Sequence, residues 1–357
     1  MEDMVKLQEV PFWRDKRVLV TGHSGFKGSW LTLWLHKLGA DVTGISLPPV
    51  TDPNLFELAG VEGLCRSHFC DIRRHENLSS IIHAARPEIV FHLAAQPLVR
   101  PSYRDPLYTY ATNVMGTAHV LNALRGVDGA KVALMVTTDK VYRATALSSP
   151  YIESDSLGGV DPYSASKAAS EIVIDSYRQA YLQEQGIAVA SLRAGNVIGG
   201  GDWSEDRLIP DAIRAWSDGV ILDVRRPNSI RPWQHVLEPL AGYMLLAMRM
   251  WEDSSLEGAY NFGPEAGSAA SVREVIELAL NDFPGGQVNF LAVDDGPVET
   301  TTLTLNADKA RRVLGLVPRW ELNEAVNRTM RWYVEQNGGG DARACCYEDI
   351  AAFENMS

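Results

Sequence analysis

The chain has 357 residues, 46% of them hydrophobic, which is enough for one large α/β unit and a smaller appended lobe. Its formal net charge of −12, with no dense basic patch, argues against nucleic acid or an anionic membrane as a partner, because both repel an acidic surface. The four cysteines have neither metal-ligand spacing nor a disulfide framework, no apolar run reaches the ~18 residues of a membrane helix, and residues 1–13 lack the apolar core of a signal peptide, so we expect a cytoplasmic protein without a metal.

The first structural signal is a strand, a glycine-rich turn, a helix and a second strand over residues 16–47. Gly22 permits a tight turn, Gly25 lets backbone amides approach a pyrophosphate, and Gly28 lets the helix pack close to the strand. The N-terminus of that helix then faces the phosphates. This βαβ pattern predicts a dinucleotide-binding site.

The identity of the dinucleotide depends on the end of the second strand. An acidic residue that bonds the adenosine ribose is expected about twenty residues after the turn, but the residue found there is Ser46. NAD and NADP therefore both remain open. Lys27 either approaches a 2′-phosphate or lies on the exposed face of the helix, and we favour the second. Asp71 either accepts a hydrogen bond from the adenine amino group or is an ordinary turn aspartate.

Further strand signals at residues 68–72, 88–95 and 131–138 alternate with helical segments at 78–85 and 108–124. Alternating strands and helices, with strands that are apolar almost throughout, predict a parallel sheet covered on both faces. The expected fold class is therefore α/β, a Rossmann-type doubly wound parallel sheet with a smaller C-terminal α/β substrate lobe.

Three consecutive glycines, residues 199–201, follow a strand signal at 187–193 and mark where the smaller lobe begins. We expect a dinucleotide-binding domain over residues 1–200, to which residues 236–262 return. Residues 201–335 should form most of the substrate lobe. Residues 336–357 open with glycines and should form a loose tail.

Two stretches carry candidates for proton transfer. Thr138, Asp139 and Lys140 follow a buried strand, at the sheet edge where open α/β folds bind ligands. Tyr163 and Lys167 are four residues apart, and therefore on one face of a helix. Together they indicate proton transfer beside a nicotinamide, although a strand end with a surface ion pair is the alternative for the first stretch.

The second half of the chain supplies candidates for anion binding. Arginine suits a diphosphate because its planar fork donates two hydrogen bonds at once, and Arg207 and Arg231 together with Asn196 suggest such a site. His235 either contacts the substrate or is a hydrogen-bonded structural histidine. The pair at positions 225 and 226 is interpreted as two solvated arginines.

With these features in view, the sequence resembles the extended short-chain dehydrogenase/reductase family. Within it, the chain is similar to the nucleotide-sugar 4,6-dehydratases, in a branch that acts on CDP-hexoses. The similarity spans most of residues 16–335 and is carried by residues 22–30 (GHSGFKGSW), 94–100 (AAQPLVR), 110–117 (YATNVMGT), 193–203 (RAGNVIGGGDW), 206–211 (DRLIPD) and 231–239 (RPWQHVLEP). The last three stretches are specific to the branch.

The resemblance implies a mechanism. Tyr163, with a pKa lowered by Lys167 and by the nicotinamide charge, removes the proton of the sugar C4 hydroxyl while hydride passes to NAD⁺, and Thr138 bonds the C4 oxygen. Asp139 then protonates the departing C6 hydroxyl and Lys140 takes the C5 proton, before hydride returns to C6. These roles require a protonated Asp139 and a neutral Lys140, so burial should shift both pKa values.

The resemblance also implies the ligand contacts and the partners. The substrate is a CDP-hexose, the assembly is a homodimer that pairs residues 108–124 with 163–182, and backbone near Leu208 holds the base. The predicted cofactor residues are Gly22, His23, Ser24, Gly25, Phe26, Lys27, Gly28, Ser46, Asp71, Ile72, Leu93, Ala94, Ala95, Thr112, Tyr163 and Lys167. The predicted substrate residues are Gln96, Asn196, Arg207, Leu208, Arg231 and His235.

Residues 143–151 and Pro101 depart from the pattern of the branch near the expected position of the sugar. A modified CDP- or GDP-hexose therefore stays open as the substrate. Two other functions are alternatives: a 4-epimerase or simple NAD(P) oxidoreductase of the same family, and a catalytically silent NAD-binding protein. The Asp139–Lys140 pair argues against the former, because C4 oxidation alone needs no second acid and base. The presence of Tyr163 and Lys167 argues against the latter.

Overall fold

The structure is a computed structural model that describes residues 11–144, 149–265, 268–291 and 303–356. Its strands are β1 (Arg17–Thr21), β2 (Asp41–Ser46), β3 (Arg66–Phe69), β4 (Ile89–His92), β5 (Val132–Val136), β6 (Ala188–Ala194), β7 (Val197–Ile198), β8 (Leu222–Val224), β9 (Ile230–Arg231), β10 (Gln234–His235), β11 (Gly258–Phe262), β12 (Ala270–Ser271) and β13 (Val288–Phe290).

The helices are α1 (Phe26–Lys37), α2 (Leu55–Leu58), α3 (His75–Ala85), α4 (Val99–Arg104), α5 (Pro106–Tyr110), α6 (Gly116–Leu124), α7 (Pro162–Tyr177), α8 (Leu208–Ser217), α9 (Leu237–Glu252), α10 (Val272–Asp282), α11 (Asp308–Leu314), α12 (Leu322–Asn337) and α13 (Ala342–Asn355). Single π-helical turns, Ala111–Met115 and Arg178–Leu182, precede α6 and follow α7. Among the described residues, no helix is both long enough and apolar enough to cross a membrane.

Seven of the strands form one sheet in the order β11-β6-β5-β4-β1-β2-β3, and every neighbouring pair is parallel. Val18 and Val20 belong to the hydrophobic cluster on one face, and Leu19 between them belongs to the cluster on the other. Successive strand residues point to opposite faces, so an apolar run such as β1 must be covered on both sides. The predicted Rossmann-type α/β class is confirmed.

The order of the strands determines where a ligand can bind. The chain runs from β1 outward through β2 and β3, then crosses back to β4 on the other side of β1. At such a switch point the connections leave the carboxyl ends of adjacent strands in opposite directions, which opens a crevice. The glycine turn after β1 and the segment after β4 therefore face each other across this opening.

The smaller lobe is built from short strand pairs, β7 with β10, β8 with β13 and β9 with β12, together with α8 and α10. After these the chain returns to the large sheet, because β11 pairs in parallel with β6 from Gly258 opposite Ala190 to Phe262 opposite Ala194. The domain boundaries stay a prediction.

The C-terminal segment is not the loose tail that its glycines suggested. Gly338 to Gly340 make only a short turn between α12 and α13, and α13 buries Cys346, Ile350 and Phe353 on one face. The indole nitrogen of Trp34 on α1 donates to Glu354 Oε1 at 2.8 Å, and Lys37 pairs with the same carboxylate. The expectation was wrong because apolar residues at helical spacing outweigh the glycines that precede them.

Candidate active site

One cleft of about 760 Å³ opens at the carboxyl edge of the large sheet. This volume is in the range of small-molecule sites. Its walls come from the glycine turn, from the segments that follow β4 and β5, from α7, and from the smaller lobe between residues 195 and 233. The cleft therefore brings together the two halves of the chain that carry the candidate cofactor and substrate residues.

The glycine turn forms a cradle that side chains would fill. Gly22 has a φ of 80°, and a Cβ there would lie 2.7 Å from the backbone nitrogen of Ala94. A Cβ on Gly28 would lie 2.0 Å from the carbonyl oxygen of Gly22. Thr112 Oγ1, buried in the cleft wall, has no hydrogen-bond partner among the described residues. The turn thus fits a dinucleotide, with α1 directing its N-terminus at the phosphates.

All of the predicted cofactor residues line the cleft except His23. The imidazole of His23 lies beneath the turn, where it bonds Ser46 Oγ at 3.1 Å and Ser67 Oγ at 2.7 Å and packs edge-on against Phe56. Burial lowers the pKa of His23 to about 4. The prediction of a cofactor contact is therefore wrong for this side chain, which instead supports the turn as a neutral ring.

Lys27 does not lie on an exposed helix face, contrary to the favoured interpretation. It lines the cleft, because the first turn of α1 points across the crevice rather than into solvent. Burial lowers the pKa of Lys27 to about 8, and the charge of Arg207 lowers it further, while Asp139 and Asp202 oppose this shift. A lysine therefore lies between the cofactor cradle and the candidate acid.

The adenine end of the cleft has no carboxylate at the end of β2. Ser46 Oγ donates to Ser24 Oγ at 2.8 Å there. Asp71 accepts hydrogen bonds from the backbone nitrogen and guanidinium of Arg73, which lower the pKa of its carboxyl group. The Arg73 guanidinium in turn lies 4.4 Å from the centre of the Tyr108 ring. Asp71 is thus held ionised at the cleft, and its contact with adenine stays a prediction.

The candidate acid follows β5 directly. Thr138 caps a 3₁₀ turn, Asp139–Val141, and its hydroxyl donates to Asp139 Oδ1 at 3.1 Å. Asp139 is only 2% exposed, and its Oδ2 has no hydrogen-bond partner among the described residues. Burial raises the pKa of Asp139, against the opposing effects of Lys140 and Thr138. This is the direction that a proton donor requires. Lys140 is half-buried in the cleft wall beside it.

The candidate base lies across the cleft on α7. Asp161 caps this helix by accepting from the Ser164 backbone nitrogen at 2.9 Å, and both Tyr163 and Lys167 are buried in the cleft wall. Lys167 Nζ donates to the carbonyl oxygen of Val136 at 3.1 Å, which ties the helix to the end of β5. Burial, aided by Lys27, lowers the pKa of Lys167 to about 8.

The pKa of Tyr163 differs from the value that the resemblance implies. Burial raises it, although a hydrogen bond with Thr138 and the charge of Arg207 act in the lowering direction. The implied lowering includes a positive nicotinamide ring next to the phenol, which the chain's own residues do not replace. The hydroxyl of Thr138 nevertheless joins the two candidate sets, since it meets Tyr163 on one side and Asp139 on the other.

Five of the six predicted substrate residues line the cleft: Gln96, Asn196, Arg207, Leu208 and Arg231. The sixth, His235, is completely buried, with its ring 4.7 Å from that of Trp320 and 5.8 Å from that of Trp30. Its Nδ1 accepts from the Leu237 backbone nitrogen at 3.3 Å. Substrate contact is therefore wrong for His235, and the alternative of a structural histidine holds.

Sequence reasoning missed three arginines of the cleft. Arg225 and Arg226, interpreted as a solvated pair, border the cleft directly after β8. Arg100 also lines it and donates to Asp206 Oδ1 at 2.8 Å across its mouth. Because β8 pairs in parallel with β13, residues that follow it emerge at one edge, and this signal was available in the sequence. Residues 145–148 of the divergent loop lie outside the described residues.

The fold and the site together define a dinucleotide-binding α/β enzyme whose cleft joins a tyrosine–lysine pair, a second acid and a group of arginines. The chain belongs to the NAD dependent epimerase/dehydratase family, whose model matches residues 18–263. The cofactor of this family, NAD, agrees with the cradle after β1.

Comparison with individual proteins gives the same family. The chain is 43% identical over 348 residues to the CDP-glucose 4,6-dehydratase of Salmonella typhimurium, covering 96% of this chain and 97% of the relative. It is 27% identical to the UDP-glucose 4-epimerase of Rhizobium meliloti, over 92% of this chain and 100% of that protein. A solved dTDP-glucose 4,6-dehydratase of Streptomyces venezuelae with bound NAD superposes with a TM-score of 0.76 at 26% identity, covering 91% of this chain and 99% of the other.

Proposed function

We propose that this chain is a CDP-glucose 4,6-dehydratase, which converts CDP-D-glucose to CDP-4-keto-6-deoxyglucose. The reaction oxidises C4, removes water across C5 and C6, and returns hydride to C6. The observation that carries the proposal is Asp139, a buried carboxyl with a raised pKa and an unpartnered oxygen, linked through the Thr138 hydroxyl to Tyr163. The 43% identity to a relative of that name supports the choice of nucleotide.

In the first step, Tyr163 takes the proton of the C4 hydroxyl, and the Thr138 hydroxyl bonds the oxygen as it becomes a carbonyl. The chemistry that NAD supplies when bound is reversible hydride transfer with the sugar carbons. Lys167, on the face of α7 that carries Tyr163, bonds the nicotinamide ribose and stabilises the phenolate while it is charged at neutral pH. The products of this step are a 4-keto sugar and a proton on the tyrosine.

In the second step, the ketone acidifies the C5–H bond. Lys140 takes that proton, the electron pair forms the C5–C6 double bond, and the C6 hydroxyl leaves as water with the proton of Asp139. This division follows the environments of the two side chains, because Asp139 is buried whereas Lys140 is half-buried. After hydride returns to C6, a proton is returned to C5, so each group regains its starting charge.

The substrate diphosphate needs several cations in a cleft of an otherwise acidic chain. Arg207 and Arg231 supply them together with the amide of Asn196, and Arg225 and Arg226 extend the group on the same wall. Bidentate arginine is suited to phosphate oxygens. Backbone at Leu208, the first residue of α8, is assigned to the base.

A 4-epimerase is the second candidate, because relatives with that name share about the full length of the chain. Epimerisation needs one proton-transfer group at C4 and no acid aimed at C6. The protonation that burial imposes on Asp139 therefore favours the dehydratase. A modified CDP- or GDP-hexose as the substrate and a silent NAD-binding protein are separated from it by the same assay.

We also infer a homodimer that pairs residues 108–124 with 163–182. Large apolar side chains lie exposed on this face, with Met115 at 51% and Ile172 at 63% exposure, and Leu107 at 80% beside them. A contiguous exposed apolar face on two adjacent helices is typical of an interface. A second copy of this chain, presenting the same face, would cover it.

The deciding experiment is incubation of the protein with NAD and CDP-glucose in deuterated water. The expected product is a 4-keto-6-deoxy sugar that carries deuterium at C5, identified by NMR and mass spectrometry. UDP-, GDP- and dTDP-glucose run in parallel test the nucleotide. Epimerised sugar, or product without solvent deuterium, would contradict the dehydratase, and preference for another nucleotide would contradict the CDP assignment alone.

A further inference from the structure

A buried ion pair lies directly behind the candidate catalytic residues. Glu171 on α7 and Arg193 on β6 each have side chains that are 4% exposed, and neither lines the cleft. Arg193 Nε donates to Glu171 Oε1 and Nη2 to Oε2, both at 2.9 Å. The guanidinium and carboxylate thus meet in the bidentate, planar geometry that fixes orientation as well as distance.

The pair holds the chain on both sides of the acid-bearing turn. Thr137, immediately before Thr138, donates its hydroxyl to Glu171 Oε1 at 2.6 Å. Tyr142, immediately after the turn Asp139–Val141, accepts from Arg193 Nη1 at 2.9 Å. The position of Asp139 is therefore determined from both flanks by one buried pair.

The same pair holds the base. Glu171 follows Lys167 by four residues and Tyr163 by eight, so all three lie on one face of α7. Ser191 on β6 donates to Glu171 Oε2 at 2.6 Å, so each carboxylate oxygen accepts two hydrogen bonds. A helix fastened at this point cannot slide or rotate relative to the ends of β5 and β6 without breaking several charge-assisted bonds.

Stability alone does not account for this arrangement. Burying two charges costs free energy, and apolar residues of the same volume often pack a helix onto a sheet equally well. What a saturated, bidentate network adds is one fixed geometry. We propose that Glu171 and Arg193 are positioning residues that keep Tyr163 on α7 in register with Thr138 and Asp139 after β5. One bound sugar is then within reach of both proton-transfer sets, a role that rests on the proposed function.

Electrostatics gives the pair a second effect, on Lys167. The groups that face this ammonium are Tyr163 and Glu171 on its own helix, Lys27 on α1 and His92 on β4. Burial keeps His92 neutral, with a pKa of about 3. Glu171 raises the pKa of Lys167 against burial and Lys27, so removing its charge should lower that pKa below its value of about 8. The ammonium would then be lost at a lower pH.

The test uses Thr137→Val, which removes one link at nearly constant volume, and Glu171→Gln, which removes the charge. For both, kcat should fall on the order of 10- to 100-fold while KM changes by less than about threefold, because displacement of catalytic groups affects the chemical step. In Glu171→Gln the alkaline limb of the pH–rate profile should also move to lower pH. Arg193→Lys, which keeps the charge but loses the fork, should restore part of kcat relative to Arg193→Met.

Matched controls separate positioning from folding. Thr329→Val removes a buried threonine hydroxyl that donates to Ala325 at 2.7 Å within α12, and Glu238→Gln neutralises a buried carboxylate that accepts from the backbone of Arg319 and Trp320. Both residues lie outside the cleft, so kcat and the alkaline limb should not move. If Glu171→Gln does not fold, Thr137→Val carries the test.

The outcomes separate this role from the proposed function. Assays use whichever nucleotide sugar the unaltered protein turns over fastest. No turnover by the unaltered protein would overturn both. Turnover by the unaltered protein with Thr137→Val and Glu171→Gln indistinguishable from the controls would overturn the positioning role alone. Loss of kcat in proportion to the loss of folded protein, without a shift in the alkaline limb, would also overturn it.

Discussion

Burial decides the chemistry of individual residues in this cleft. Asp139 is an acid because its carboxyl is shielded from water and one of its oxygens has no partner among the described residues, so the neutral form is favoured. His23 and His235 are neutral for the same reason, but their hydrogen bonds and aromatic neighbours are structural. The same physical cause thus gives a reactive group where the side chain faces the cleft and a packing group where it does not.

The division of labour between Asp139 and Lys140 gives a prediction for Lys140→Ala. The variant should still oxidise C4, because Tyr163, Lys167 and Thr138 are intact, but elimination should stall without its base. Single-turnover absorbance should show reduced nicotinamide accumulating, with product formation slowed on the order of 100-fold or more. Lys131→Ala is the control, since that lysine lies at the start of β5 over Trp251. Normal product formation by Lys140→Ala would place the base elsewhere.

At the scale of elements, the site depends on where strands end and helices begin. The glycine turn sets the approach of α1 to β1, α7 presents the base, and the turn after β5 presents the acid. Most of this could be predicted from sequence because each feature is local: a glycine at a tight turn, or a four-residue spacing on a helix. The π-helical turn Ala111–Met115 within the predicted helix 108–124 was not predicted, since it depends on packing against α7.

The close approach of the turn to α1 predicts the effect of Gly28→Ala. The added methyl group would lie 2.0 Å from the carbonyl oxygen of Gly22, so the turn must distort. Affinity for NAD, measured by calorimetry, should fall at least about tenfold because the amides no longer converge on the pyrophosphate. Gly63→Ala, where a Cβ meets nothing within 4 Å, should bind NAD normally. Equal affinities in the two variants would show that the turn tolerates the methyl group.

The packing of α13 gives a second prediction at this scale. Phe353 is buried between Trp34 and Trp320, with ring centres 5.8 Å and 5.1 Å away. Phe353→Ala should lower the free energy of unfolding by about 3–5 kcal/mol, because it leaves a cavity in the core. Chemical denaturation measures this, with Glu348→Ala on the exposed face as the control. A change below about 1 kcal/mol would mean that α13 is only loosely attached.

For the whole molecule, the main open feature is the apolar face on the helices beside the cleft. The same two segments carry Tyr163 and Lys167 on their inner side, so an interface there would stiffen the catalytic helix. The predicted homodimer and the cytoplasmic location both stay predictions.

Ile172→Glu tests the assembly. A charge at the centre of the proposed interface should convert a dimer to a monomer in light scattering coupled to gel filtration, because two buried carboxylates would meet across the two-fold axis. Val317→Glu, at a 58% exposed position away from these helices, should leave the assembly unchanged. A monomeric unaltered protein, or a dimer that survives Ile172→Glu, would place the interface elsewhere.

The sequence by itself determined the α/β class, the dinucleotide turn, and the two sets of proton-transfer residues, because strand ends, glycine turns and helical spacing are local properties of the chain. Only the tertiary structure decided that Lys27 faces the cleft, that His235 is enclosed by Trp30 and Trp320, that Arg225 and Arg226 border the ligand, and that the C-terminal segment packs as a helix. It also brought Glu171 to Arg193. Each of these depends on which distant segments meet, and contacts between distant segments are set by the packing of the whole core.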